Sequence, residues 1–363
     1  MIFKLPVIIY EEDNCIYNHR ADISRLGKRA LIVTGKNSSK KNGSLDDVKR
    51  ALVDMQISYV VFDEVEENPS VETVMRAREF GLAQNTDFVI GLGGGSPIDA
   101  AKAIAIMLCY PEKTGAFLYE KQQEVQHVPI VAIPTTCGTG SEATPVSVLT
   151  VHEKRTKASL PHRVFPSLAL IDAGYLASAP ASVITATAVD ALAHMIESYV
   201  NTGVSEYVRM FVDAGLSIWS RSKKILTGER TANREDYRNL MNASTLAGMA
   251  IAHAGTTIPH SLSYNITYEL GIAHGTAVGH FLPGYLREAS EQDRNHILQV
   301  AGFANMEEFE TFIGRTCPVG EIPAALLERS IQSVLDNPAK LAACPYTLNK
   351  DVLGNIAEWE ALA

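Results

Sequence analysis

Between residues 30 and 175, short β-branched apolar runs alternate with segments whose apolar residues recur every three to four positions. Strands with no wet face, separated by helix-period stretches, are what a parallel sheet covered by helices requires. The pattern predicts strands at 30–34, 59–65, 88–92, 129–133 and Leu168–Ile171. It predicts helices near 44–56, 70–85 and 97–109, with Ser44, Ser70 and Ser96 placed to cap them. After Asp172 the strand pattern stops. Helical periodicity then runs through 181–201, 205–225, 234–254, 276–290, 293–302, 306–315 and 322–336. Gly174, Ala177 and Pro180 mark the break at 173–180. The expected organisation is therefore an α/β domain over 1–178 and a helical domain over 179–363, with no internal repeat or low-complexity tract.

Composition narrows the function. The chain has 363 residues, 46% of them hydrophobic and 20% charged, enough for a sizeable core. Its net charge of −9 argues against nucleic acid and for a small partner. Cys15, Cys109, Cys137, Cys317 and Cys344 are odd in number and contain no C-x-x-C, which fits a reducing compartment better than a disulfide framework. Pro6 and the acidic residues 11–13 interrupt the N-terminus before a signal-like apolar core forms, and no stretch reaches the roughly 20 apolar residues of a bilayer span. The expectation is a cytoplasmic protein with no membrane partner.

Two loops carry candidate ligand chemistry. The run Gly91-Leu92-Gly93-Gly94-Gly95-Ser96-Pro97-Ile98-Asp99 follows an expected strand, the third of the sheet by this reading, and opens a helix. Glycines there let backbone N–H groups approach a pyrophosphate at a helix N-terminus, although a tight strand-to-helix turn explains the same residues. Ser96 stands where the usual dinucleotide fingerprint has its third glycine. The second loop, Pro134-Thr135-Thr136-Cys137-Gly138-Thr139-Gly140-Ser141-Glu142, ends another strand and offers four hydroxyls. Loops at the carboxyl ends of such strands line the ligand crevice.

The helical half adds Asp190 and His194, four apart and on one helix flank, together with His260 and His274 in a Gly- and His-rich stretch over 255–280. One carboxylate and three imidazoles suit Zn²⁺ or Fe²⁺ rather than Ca²⁺ or Mg²⁺. Spacing alone leaves open whether they share an ion or are separately satisfied core groups.

In order along the chain, Gly93-Gly94-Gly95-Ser96-Pro97 with Asp99 and Lys102, Pro134-Thr135-Thr136 with Gly138 to Glu142, Asp190-Ala191-Leu192 with His194 and Glu197, and His260 before His274-Gly275 resemble the iron-containing (group III) alcohol dehydrogenase family. That family shares its fold with glycerol dehydrogenase and dehydroquinate synthase. The resemblance implies a Rossmann-like dinucleotide-binding domain, a C-terminal helical domain, and metal and nicotinamide in the cleft between them. It makes Asp190, His194, His260 and His274 the metal ligands. Gly93, Gly94, Gly95, Ser96 and Asp99 become the cofactor loop, with Asn68, Thr135, Thr136 and Val148 as further contacts and Ser141 and Lys157 near the nicotinamide end. Many members carry a proton-relaying histidine where this chain has Tyr264, so Tyr264 is the candidate relay. Ala188 and Cys137 replace a usual Gly and Ala.

At the expected tip of the first strand stands Gly35, followed by Lys36, Ser38, Ser39, Lys40 and Lys41. A carboxylate there would repel a 2′-phosphate, whereas this segment favours NADP(H) over NAD(H), as in the butanol-dehydrogenase-like members that it resembles. The implied activity is reversible hydride transfer between a small primary alcohol or aldehyde and NAD(P), dependent on Fe²⁺ or Zn²⁺, in a homo-oligomer. The alternatives are a dehydroquinate synthase-like lyase, disfavoured because 255–280 holds no Lys or Arg, a glycerol dehydrogenase-like polyol oxidoreductase, and a non-catalytic nucleotide-binding protein.

Overall fold

The computed structural model describes residues 3–359. The chain divides into two compact units, one holding the chain up to Thr136 with Gly140–Ala179, the other Cys137–Thr139 with the chain from Pro180 onward.

The first unit is built on strands β1 (Ile8–Glu11), β2 (Arg29–Thr34), β3 (Ser58–Phe62), β4 (Phe88–Gly93), β5 (Ile130–Pro134), β6 (Val148–Val151), β7 (Thr156–Ser159) and β8 (Leu168–Ile171). Six form one parallel sheet in the order β1-β8-β5-β4-β2-β3. β4 is buried along its whole length, and its apolar run is that of a strand covered on both faces. Helices α1 (Ser44–Asp54), α2 (Val71–Ala83) and α3 (Gly95–Met107) connect the strands. α2 and α3 pack with Leu31, Val33 and Val89 on one face of the sheet. α1 covers Ile32, Ile90 and Ile133 on the other. The chain leaves β2 toward β3 and leaves β4 toward β5, so the β2 and β4 carboxyl ends flank the crevice where a doubly wound sheet takes its ligand.

Sequence periodicity places β2, β3, β4, β5 and β8 within a few residues, but not β1 or the antiparallel pair β6–β7. Ile8 is 57% exposed on the sheet edge, so β1 has little pattern of its own and exists through its pairing with β8. The glycine turn therefore follows the fourth strand of the chain rather than the third. Only Ser70 caps as expected, accepting from the Thr73 amide. Gly43 and Gly94 hold the other two N-cap positions, and Ser96 lies inside α3.

The second unit is helical: α4 (Ala181–Tyr199), α5 (Glu206–Ser220), α6 (Arg234–Ile251), α7 (Ile258–Leu270), α8 (His274–His280), α9 (Leu282–Glu288), α10 (Glu291–Val300), α11 (Met306–Thr316), α12 (Ala324–Leu335), α13 (Pro338–Ala342) and α14 (Lys350–Ala357). The expected helix 276–290 is two, because Pro283 starts a new first turn in α9. α7, α13 and α14 are not evident from periodicity. Trp219 is fully buried and donates to the Ala188 carbonyl at 2.8 Å, anchoring α5 to α4. Among the described residues no helix is long and apolar enough to cross a membrane.

Candidate active site

In the first unit the sheet delivers the glycine run to the end of its central strand. Gly93 has φ +142°, and a Cβ there would meet Pro97 Cγ at 2.9 Å, so the turn into α3 requires glycine. Gly94 occupies the N-cap without a side chain to consume the first-turn amides of α3, and Gly95 and Ser96 follow as its first residues. Those amides and the helix dipole suit an anion. A Cβ on Gly94 would come within 3.1 Å of Thr136 Oγ1, and the Thr135 amide donates to the Gly93 carbonyl at 2.8 Å, so both loops meet at this turn. Ser96 Oγ accepts from the amide of Asn68, a residue in the left-handed region, at 3.0 Å.

Behind the turn lies a buried polar node. Lys102 Nζ donates to Ser141 Oγ and the Val146 carbonyl, both at 2.6 Å, and to Thr144 Oγ1 at 3.3 Å. Ser141 Oγ donates to Asp99 Oδ1 at 2.5 Å, and the Val148 amide donates to Asp99 Oδ2 at 2.9 Å. Burial pushes the Lys102 ammonium down to about 8 against the opposing pull of Asp99. The same burial raises Asp99, with Lys102 opposing it. Asp99, Ser141 and Val148 are thus brought together as a scaffold under the loop, with the Asp99 carboxylate taken up by protein donors. Lys157, on β7, is 8% exposed. Gly35 directly follows β2, Ser39 is buried against Thr34 Oγ1 at 2.9 Å, and Lys40 pairs with Asp63 at 2.6 Å. Lys36, Ser38 and Lys41 are exposed.

In the second unit, one face of α4 presents Asp190 and His194, both buried. α7 begins with Thr257 at its N-cap and Pro259 in its first turn, which sets His260 at the start of the helix. Gly271, at φ +63°, ends α7, and three residues later His274 opens α8. A Cβ on Gly275 would lie 1.9 Å from the Ala186 carbonyl oxygen, so only glycine lets α8 approach α4 this closely. Asp190, His260 and His274 consequently offer one ligand atom each, all within 4.8 Å of one another. His194 stands outside that group. Its ring lies over His260, centroids 4.4 Å apart, and its Nδ1 faces the Gly138 carbonyl at 3.3 Å. Tyr264 stacks on His274 with centroids 5.9 Å apart.

The donor inventory tests whether a cation fits. A carbonyl can only accept, so His194 carries its proton on Nδ1 and leaves Nε2 as a lone pair. Glu197 Oε1 likewise accepts from His260 Nδ1. His260 Nε2 then faces Asp190 Oδ1 at 3.4 Å, and both atoms are buried without a hydrogen-bond partner. Two facing acceptors repel unless a cation or a proton lies between them, and a divalent ion suits this N/O set. Without an ion the bridge is a proton, which a metal would displace. Burial opposes charge on His260, yet Glu197 and Asp190 lift it to about 9, whereas burial outweighs Asp190 at His194 and lowers it to about 4. Burial works against the Asp190 carboxylate too, but His194 and its neighbours hold it below the usual range.

Sequence reasoning gave no role to Gly138 or Lys340. Lys340 Nζ donates to the Thr256 carbonyl at 2.6 Å, which brings a lysine to the stretch that holds none in sequence, with its ammonium turned to backbone and hydroxyl oxygen. Glu197 entered the motif with no task attached to it. Its signal was helical spacing from Asp190 and His194.

Residues 6–173 match the family described as iron-containing alcohol dehydrogenase, and residues 184–313 match the C-terminal part of the same family. A long-chain-alcohol dehydrogenase of Geobacillus thermodenitrificans is 30% identical over 90% of this chain and 88% of its own. An NADPH-dependent butanol dehydrogenase of Clostridium saccharobutylicum is 30% identical over 94% of this chain and 95% of its own. The crystal structure of an iron-containing alcohol dehydrogenase from Thermotoga maritima superposes with a TM-score of 0.90 at 37% identity, covering 98% of each chain. Glycine turn, Asp–His set and these likenesses agree, and the chain belongs to the iron-containing alcohol dehydrogenase family of oxidoreductases.

Proposed function

We propose that this protein reversibly oxidises a small primary alcohol to its aldehyde, with NADP(H) as the preferred coenzyme, in the reducing environment of the cytoplasm. The observation that carries the reading is the facing pair Asp190 Oδ1 and His260 Nε2, buried and partnerless beside His274. Asp190, His260 and His274 would hold Fe²⁺ or Zn²⁺, and His194 would complete the set through the Nε2 left open by Gly138. The chemistry supplied by the bound groups is Lewis acidity toward the substrate oxygen and hydride acceptance by the nicotinamide. The chain's own residues bind and orient. Gly93, Gly94, Gly95 and Ser96 receive the pyrophosphate at the head of α3, and Asn68, Thr135 and Thr136 border that turn. Asp99, Ser141, Val148 and Lys157 hold its supporting loop and hairpin. Tyr264, whose ring stacks on His274, would act as the proton relay for the alcohol.

The coenzyme preference rests on Gly35, which puts no carboxylate at the β2 tip, and on the exposed Lys36, Ser38 and Lys41. Ser39 and Lys40 contribute less than the sequence suggests, since each already has a protein partner. The lyase alternative needs cations for a charged substrate, and the lysine near 255–280 is already bonded to Thr256.

The test is metal analysis of anaerobically purified protein combined with an alcohol panel against NAD⁺ and NADP⁺. His260→Ala and His274→Ala should lose turnover by at least about a thousandfold while keeping wild-type circular dichroism. Undiminished turnover by either variant in metal-free form overturns the centre, and faster turnover with NAD⁺ overturns the coenzyme preference.

A further inference from the structure

Glu197 is a fully buried carboxylate whose two oxygens accept from three protein donors. Asp190, His194 and Glu197 lie at helical spacing on one face of α4, so the helix that offers two ligands also carries this group. Oε1 accepts from His260 Nδ1. Oε2 accepts from the Thr257 amide at 2.6 Å and from Thr257 Oγ1 at 3.1 Å. Thr257 is the N-cap of α7, so a single carboxylate holds both the His260 ring and the turn on which it is mounted. That turn is fastened from three other directions. Asn201 Nδ2 donates to the Ala254 carbonyl at 2.9 Å, Lys340 Nζ from α13 donates to the Thr256 carbonyl at 2.6 Å, and Tyr285 Oη from α9 lies 2.9 Å from Thr257 Oγ1.

We propose that Glu197 is a positioning residue of the metal centre, which fixes His260 with its proton on Nδ1 and its lone pair on Nε2, aimed at Asp190. The inference rests on the metal-dependent reading above and adds a determinant of metal affinity to it. A carboxylate can serve an imidazole N–H and a backbone N–H together because both of its oxygens accept. A carboxamide has one accepting oxygen. If that oxygen stays with the Thr257 amide, the NH₂ group faces His260 and selects the opposite tautomer, which puts a proton on Nε2 where a ligand lone pair is needed.

The experiment is competition for Zn²⁺ between a chromophoric chelator and metal-free protein, wild type against Glu197→Gln, with thermal unfolding of both metal-free proteins alongside. Affinity lowered by about 10- to 100-fold in Glu197→Gln is expected, with metal-free unfolding close to wild type. An unchanged chelator midpoint, or a loss of metal-free stability with no loss of affinity, overturns the assignment. Should Glu197→Gln not fold, long-range ¹H–¹⁵N spectra of Zn²⁺-loaded wild type decide. Nδ1–H on His260 supports the proposal, and Nε2–H on His260 overturns it. Wild-type protein that takes up no Zn²⁺ overturns the metal centre itself, which separates that failure from one confined to Glu197.

Discussion

A missing side chain decides where His274 can stand. Gly275 lies against the backbone of α4 one turn before Asp190, and an added Cβ would fall 1.9 Å from the Ala186 oxygen and 3.0 Å from Asp190 Cβ. The near atom is backbone carbonyl, which cannot rotate aside, so Gly275→Ala must push α8 off α4. Overpacking of this kind costs about 1–3 kcal/mol, and here it also withdraws His274 from Asp190. Gly275→Ala should therefore lower the denaturant midpoint and weaken Zn²⁺ retention against a chelator. Wild-type values for both would mean that α8 can move away from α4 at no cost to the site. At this scale the sequence was partly legible. Asp190 and His194 share a flank because they are four apart on one helix. His260 and His274 meet Asp190 only through Gly275 and the Thr257 turn, which no spacing encodes, so the family resemblance rather than periodicity placed them. Gly138 belongs to the matched Thr/Gly loop, but nothing in its spacing ties its carbonyl to His194.

Long apolar runs and stripes were legible, whereas exposed edges, short helices and helices with polar burial were not. β4 stands out as an unbroken apolar run, whereas α7 buries Ser263, Asn265 and Thr267 along with its apolar residues and so shows no stripe. α3 combines both cases, an Ala- and Ile-rich helix with Lys102 fully buried in its middle. The ammonium sits where Ser141, Thr144 and Val146 converge, tying the loop after β5 to the helix that starts at the glycine turn. Burial outweighs Asp99 and holds Lys102 at about 8, below the ordinary lysine value near 10.4. Between those values the unfolded chain binds more protons than the folded one, so stability rises with pH across that window. The gradient from this group is at most about 1.4 kcal/mol per pH unit. In Lys102→Met it should vanish, and comparison with wild type between pH 8 and 10 removes the background from other groups. Losing the charged hydrogen bonds should also raise the coenzyme KM on the order of tenfold. Parallel stability curves for the two proteins would show that Lys102 titrates as it does in the unfolded chain.

Across the whole molecule the two ligand chemistries are partitioned by unit. The glycine turn, Asn68 and the Lys102 node belong to the unit built on the parallel sheet, while Asp190, His194, His260 and His274 all come from the helical one. The helices that carry the proposed ligands, α4, α7 and α8, lie within residues 181–280, and a cation gripping all three would be held only in the folded state, because the unfolded chain scatters those side chains. Free metal at a hundred times its dissociation constant adds about 2.7 kcal/mol to any opening that breaks the site. Amides that exchange through such openings should then exchange about a hundredfold faster after metal removal. Hydrogen exchange read peptide by peptide places the effect. Chelation should deprotect α4, α7 and α8, whereas added NADP⁺ should protect the turn after β4 and the first turn of α3. If α7 and α8 exchange at the same rate with and without metal, no ion joins them, and the partnerless oxygen and nitrogen at Asp190 and His260 need another explanation.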